Sequence, residues 1–253
     1  MSETDRIPTN LRTLLILEVL GQSDAPMTAT EINQKLGLPK QTVHRLCATL
    51  EEEGFLVRQG NSRRFSPARR LRDLGVGLLH ASRSQITRHQ VLQDVARQVR
   101  ETVNFVVPED TGMRYIDRVE TDWAFRIQLP VGSNVPFHCT ASGKAFMSTL
   151  APKARRSFVN GLTLRPLTAK THTSPATLLE DLVLSAKRGY ALDDEEFLDG
   201  MLAIAVPIRD ANGRYLASLA FHGPAQRVSL ENAVARKDAL VQGATRLRDI
   251  LLS

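Results

Sequence analysis

The chain has 253 residues, 42% hydrophobic and 24% charged, with a net charge of +6; these are the proportions of a soluble globular protein with room for two domains, each with its own core. No apolar run approaches the ~20 residues of a membrane span, and residues 1–10, with Glu3 and Asp5, lack a signal-peptide pattern. Cys47 and Cys139 have neither a zinc spacing nor the numbers for a disulfide framework, so a reducing, cytoplasmic setting is expected.

Asn10 is placed to cap a first helix over Leu11–Leu20, ended by Gly21. Only Arg12, Thr13 and Glu18 are polar on it. A helix apolar on nearly every side needs more cover than one small domain supplies, which predicts a dimer contact. Thr28 and Glu31 have the spacing of a capping box, so a second helix starts after Thr28 with Ile32 and Leu36 on its apolar stripe. Gly37 ends it, and Pro39 suits the first turn of a third helix. There Val43, Leu46, Cys47 and Leu50 share one face, while Gln41, Arg45 and Ala48, flanked by Thr42, His44 and Thr49, occupy the other. Gly54 breaks this helix, and Phe55–Arg58 and Arg63–Phe65 read as strands around the turn Gln59–Ser62.

Helix, turn, helix and hairpin in this order predict a winged helix-turn-helix. The polar face of its third helix suits the major groove: Gln pairs bidentately with adenine, Arg with guanine, and Ala48 permits close approach. Residues 58–100 hold ten Arg against Asp73 and Asp94, giving +8, whereas residues 1–57 give −3 and residues 101–253 give +1. The positive charge thus sits in and just after the wing, as in a nucleic-acid footprint. Arg83 to Arg100 read as the solvated basic residues of a linker.

Pro67 opens a connector helix striped by Leu71, Leu74 and Leu78 and weakened by Gly75 and Gly77, with a boundary near His80–Ser84. The next helix has Leu92, Val95 and Val99 on its inner face. From Thr102 the apolar period shortens to two, and Thr102–Val107, Arg114–Val119 and Trp123–Leu129 read as strands. Helices follow from near Ser142 to Leu150, after Pro152, and from Ser174-Pro175 to Gly189. Tyr190–Asp193, Leu202–Ile208 and Leu216–His222 are the remaining strands, and Ser229 opens one final helix reaching Leu251. Neighbouring strands with helices at the start, middle and end predict an α+β domain around a mainly antiparallel sheet.

Catalytic motifs are weak. His138 and Cys139, adjacent on an extended strand, point to opposite faces and make no thiol–imidazole pair. Ala141-Ser142-Gly143-Lys144-Ala145 echoes a phosphate loop, but His138 stands where its first glycine belongs and Ala145 where Ser or Thr belongs. Asp193, Asp194, Glu195 and Glu196 read as a solvated acidic loop rather than a metal site. An enzyme in the C-terminal half, with an accessory nucleic-acid module, is the competing reading, and it lacks a nucleophile–base arrangement.

Three blocks then resemble the IclR family of bacterial transcription regulators. Leu36-Gly37-Leu38-Pro39-Lys40-Gln41-Thr42-Val43-His44-Arg45-Leu46 is similar to its recognition segment. Arg126, Gly132, Pro136 and His138 through Ala145 resemble its R…G…P-H-x-x-A-x-G-K-A segment, and Arg188 to Glu196 with Gly200 and Ile204–Ile208 resemble its third block. The resemblance implies a winged helix-turn-helix over 1–67, a linker helix over 68–83 and a GAF-like antiparallel-sheet effector domain over 84–253. It implies a double-stranded operator met by Lys40, Gln41, Thr42, His44, Arg45, Thr49, Arg63 and Arg64, assembly as a homodimer or homotetramer, a small organic acid as effector, and no cofactor. Carried onto matching positions, the effector pocket comprises Ile127, Val135, Ala141, Ser142, Asp193, Met201, Ala203, Ala220 and His222. Residues 140–143 begin a helix whose free N–H groups suit a carboxylate; Asp193 is placed to accept from a ligand hydroxyl. Ala203 and Ala220 stand where some relatives are polar, and His222 replaces a small residue, so a larger or aromatic acid is expected.

Overall fold

The computed structural model describes residues 7–252 apart from 24, 59, 61, 82 and 83. Glu3, Asp5, Gln59, Asn61 and Arg83, all used in the sequence reading, lie outside the described residues. The chain divides into two units, Met1–Ala81 and Ser82–Ser253.

In the first unit, α1 (Thr9–Gly21) follows Pro8 directly, so Asn10 lies inside the helix instead of capping it. Ile16, Val19 and Leu20 are buried, while Leu11 and Leu14 stay exposed. One side of the apolar helix therefore belongs to the core and the other is open. Met27–Thr28 forms β1, too short to show a period in the sequence. Thr28 then caps α2 (Ala29–Leu36): its Oγ1 accepts from Glu31 N at 3.2 Å, and Glu31 Oε2 accepts from Thr28 N at 2.7 Å. Gly37, at φ 64°, closes the helix in a conformation costly for any side chain. α3 (Lys40–Glu52) follows, with Pro39 at its N-cap position rather than in its first turn. β2 (Leu56–Arg58) and β3 (Arg64–Pro67) form the wing, and β3 also pairs with β1. Ile16, Ile32, Val43, Cys47, Leu56 and Phe65 share one core. α4 (Arg69–Ala81) completes this unit.

The second unit opens with α5 (Ser84–Val99), β4 (Thr102–Pro108), β5 (Met113–Val119) and the two-residue β6 (Asn134–Val135). α6 (Ala141–Ser148), α7 (Pro152–Asn160) and α8 (Pro175–Arg188) lead to β7 (Ala191–Asp194), β8 (Met201–Arg209) and β9 (Tyr215–Pro224), then α9 (Leu230–Ala235) and α10 (Lys237–Leu252). The six strands form one antiparallel sheet in the order β6-β5-β4-β9-β8-β7. α5 and α10 pack on one face, and α6 packs on β7, β8 and β9 from the other.

Three expectations are corrected here. Trp123–Leu129 is not a strand. The outer edge of β5 pairs with β6 through Met113 and Arg114, and Tyr115 exchanges backbone bonds with Gly132 and Ser133, so residues 132–135 take the Met113–Tyr115 edge. Its apolar Trp123 and Phe125 are exposed, which is why their alternation carried no strand. The single final helix is two, broken at Arg236, whose Nη1 donates to Val99 O at the end of α5 (2.9 Å). Arg88 is no solvated linker residue: it is fully buried, its Nε donating to Asp117 Oδ2 at 3.1 Å and its guanidinium 5.3 Å from the Phe105 ring. Among the described residues no helix is long and apolar enough to cross a membrane.

Candidate functional site

The amphipathic pattern of α3 decides which side chains the first unit presents. Val43, Cys47 and Leu50 are buried, and Lys40, Gln41, His44, Arg45 and Thr49 are exposed; Thr42 and Ala48 lie half-buried between them. In the wing, Arg63 is exposed, with no ion pair among the described residues. Arg64 differs. Its Nη1 donates to Glu31 Oε2 and its Nη2 to Glu31 Oε1, both at 2.9 Å, and Nη1 also reaches Pro26 O at 2.8 Å. A bidentate fork of this kind clamps the wing to the α2 cap, while the Arg64 side chain stays 47% exposed. The basic excess is likewise partly spent within the fold: Arg58 pairs with Glu51 at 3.0 Å, and Arg70 donates to Glu53 O at 2.8 Å.

Between α6 and the sheet the second unit keeps a small cavity with room for about one water. Ala141, Ser142, Asp193, Met201, Ala203, Ala220 and His222 line it together. Asn104, Tyr115, Thr140 and Phe221 complete the wall. Of these, Asn104 left a signal: it is the one polar amide in the apolar run Val103–Val107. Two expected residues stand off the wall. Val135, on the edge strand, is buried in the aromatic core with Phe137, and Ile127 contributes only its carbonyl near His222.

Close packing makes this site. Ala141, Ala145, Ala191, Ala203, Ala205 and Ala220 form one cluster, so α6 rests directly on the sheet. Gly143 is required there, since a Cβ would lie 2.3 Å from Phe137 O and 2.6 Å from its Cα. Thr140 caps α6, its Oγ1 accepting from Gly143 N at 3.2 Å, so that N–H is not free for a ligand.

Asp193 is fully buried. Its Oδ1 accepts from Glu196 N at 2.8 Å and Phe197 N at 3.3 Å, while Oδ2 has no partner among the described residues. Burial, reinforced by the Glu196 charge, raises its carboxyl to about 7. His222 Nε2 lies 3.0 Å from Arg118 Nη2, and Nδ1 lies 3.1 Å from Asn104 Nδ2. Burial, then the Arg118 charge, pushes the imidazole down to about 4, so it is neutral at physiological pH and does not serve as a cation. Nε2 also lies 3.2 Å from Ile127 O; Arg118 can only donate and that carbonyl can only accept, so the ring's tautomer decides which of the two Nε2 bonds.

The acidic run is not simply solvated. Asp194 and Glu195 receive Lys170 at 3.1 and 2.7 Å, and Glu196 is buried against Lys144. The buried Lys144 ammonium also meets Asp181 Oδ2 at 2.6 Å. Burial alone would lower the lysine, but Glu196 and Asp181 hold it above its ordinary value. His172, Asp181 and Glu196 present atoms within 4.8 Å of one another. A divalent cation there would have to displace that ammonium. Cys139 is fully buried, which pushes its thiol up to about 12, and His138 Nε2 donates to Arg165 O at 3.0 Å; the two form no nucleophile.

A winged helix-turn-helix with an exposed polar reading face, carried on one chain with an antiparallel α+β unit around a polar-lined cavity, defines a ligand-responsive transcription regulator. The family model "IclR helix-turn-helix domain" matches residues 11–60, and "Bacterial transcriptional regulator IclR C-terminal" matches residues 80–248. The chain belongs to the IclR family of bacterial transcriptional regulators. A protein of Cupriavidus necator named "Probable transcriptional regulator SauR" is 35% identical over 221 residues, 87% of this chain and 88% of its own. The Thermotoga maritima IclR crystal structure is 27% identical, with a TM-score of 0.63 over 95% of this chain and 97% of that one. An IclR homolog of Microbacterium hydrocarbonoxydans, complexed with 4-hydroxybenzoate, is 25% identical, with a TM-score of 0.58 over 96% of this chain and 100% of that one. Such relatives are regulators rather than enzymes, and so is this chain.

Proposed function

We propose that this cytoplasmic regulator binds a two-fold related operator as a homodimer or homotetramer and releases or engages it in response to a small organic acid with an apolar or aromatic body. The observation that carries the effector reading is the cavity itself, where Asp193, His222 and Asn104 place polar atoms on walls otherwise made by Met201, Phe221, Tyr115 and alanines. The bound 4-hydroxybenzoate of the Microbacterium hydrocarbonoxydans homolog supports an aromatic acid. Operator contact is assigned to Lys40, Gln41, Thr42, His44, Arg45 and Thr49 of α3 and to Arg63 of the wing, with Arg64 holding the wing in place. Exposed Leu11 and Leu14 on α1 supply the apolar surface for pairing two chains.

An acid entering a space this small must part α6 from the sheet, so binding favours one conformation over another and alters DNA affinity to that extent. The test is a thermal-shift screen of carboxylic and aromatic acids, followed by calorimetry and gel shifts. Wild type should respond to at least one acid, and Ser142→Trp, which fills the cavity, should lose that response. Undiminished affinity in Ser142→Trp places the ligand elsewhere, and a monomer at micromolar concentration, with and without DNA, refutes the assembly.

A further inference from the structure

The sheet register puts a second basic side chain on the sheet face that bears the cavity, just behind its lining. Arg118 on β5 is the cross-strand partner of Asn104 on β4, and Asn104 is the partner of Ala220 on β9. Directly paired residues project to the same side of a sheet, and both Asn104 and Ala220 line the cavity. The Arg118 side chain is only 3% exposed. Its Nη2 donates to Ile127 O at 3.2 Å and lies 3.0 Å from His222 Nε2. Nε and Nη1 are buried and have no hydrogen-bond partner among the described residues. The carboxylate of Glu120 stands 3.9 Å from Nε and accepts instead from Arg126 Nε at 2.8 Å.

A guanidinium buried with two of its three nitrogens lacking acceptors is a costly arrangement, and a ligand anion removes that cost. Among the wall's own polar groups His222 is neutral, Asp193 is acidic and Gly143 N already donates to Thr140, while Ser142, Tyr115 and Asn104 can donate but carry no charge; Arg118 is the cation beside them. We propose that Arg118 is the anion-anchoring residue of this pocket, donating to the effector's carboxylate and thereby selecting acids over their neutral analogues. The assignment rests on reading the cavity as the effector site. It places the carboxylate beside β5 and leaves Asp193 and Asn104 for a second, uncharged polar group of the ligand.

The test uses the full chain with benzoate, 4-hydroxybenzoate, acetate and pyruvate, each beside its neutral amide. At least one acid should stabilise wild type and bind about 100-fold more tightly than its amide, the ratio expected when a buried charge loses its partner. Arg118→Met should lose about 100-fold for that acid and little for the amide, erasing the discrimination. If Arg118→Met does not fold, Arg118→Lys decides, since it keeps the charge without the fork. It should lose about tenfold for the acid and nothing for the amide; equal losses, or none, overturn the assignment. Acid binding that Ser142→Trp abolishes and Arg118→Met leaves unchanged refutes Arg118 alone. Failure of every acid to bind wild type, or binding that survives Ser142→Trp, refutes the effector reading and this assignment with it.

Discussion

Asp193→Asn replaces a fully buried carboxyl by a group of the same shape that cannot ionise. The side chain keeps an oxygen for the Glu196 and Phe197 N–H groups and loses only the acidic proton at Oδ2. In the folded chain, burial and then the Glu196 charge raise this carboxyl from the ordinary 3.8 to about 7. A folded value above the unfolded one means the unfolded chain releases the proton first as pH rises. The stabilisation is therefore complete below pH ~4 and is lost progressively up to pH ~7, a swing of ~4 kcal/mol in all. Between pH 5 and pH 8 about 2–3 kcal/mol of it should be visible. His222, lowered to about 4, acts oppositely over nearly the same window, since its unfolded form takes up a proton first as pH falls. That contribution is present in both proteins and cancels in their difference. Urea denaturation of wild type and Asp193→Asn at pH 5 and pH 8 should show the variant gaining on wild type with pH. The corresponding gain in Tm is about 5–10 °C for a domain of this size. A stability difference independent of pH would mean that Asp193 is ionised throughout and that the cavity is not a low-dielectric site.

DNA binding and core packing each carry further expected outcomes. In gel shifts, Gln41→Ala and Arg45→Ala should each lose ~1–3 kcal/mol of discrimination between operator and random DNA; Arg63→Ala should weaken all sequences and flatten the salt dependence, while Arg64→Ala should chiefly lower the melting temperature by releasing Glu31. Gly143→Ala sets a methyl against the Phe137 backbone and should cost ~3 kcal/mol or more, read by denaturant unfolding. Lys144→Met leaves Glu196 buried without its cation, while half-buried Asp181 keeps Arg188, and should cost ~3–5 kcal/mol in the same assay.

Much of the first unit was legible in the sequence because its signals are local. A capping box needs only Thr28 and Glu31, a left-handed closure only Gly37, and the reading face of α3 only its 3.6-residue period. The helices of the second unit were marked the same way, by Ser174-Pro175 and Gly189, and its antiparallel character by period two. The cavity residues came instead from resemblance, since Ala141, Ala203 and Ala220 say nothing of a site when read one by one. What only the tertiary structure decided is how distant segments meet. Trp123–Leu129 has a strand's pattern but joins no sheet, and it is β6 with residues 132–133 that pairs with the Met113–Tyr115 edge of β5. Arg64 and Arg88 read as free cations until the fold sets Glu31 and Asp117 against them. Arg118, Asn104 and His222 are brought together by pairing across three strands, 118 positions apart at the widest contact. Short-range spacing fixes backbone conformation and the face a side chain occupies; which charges are buried, and beside what, depends on strand register that no local pattern encodes.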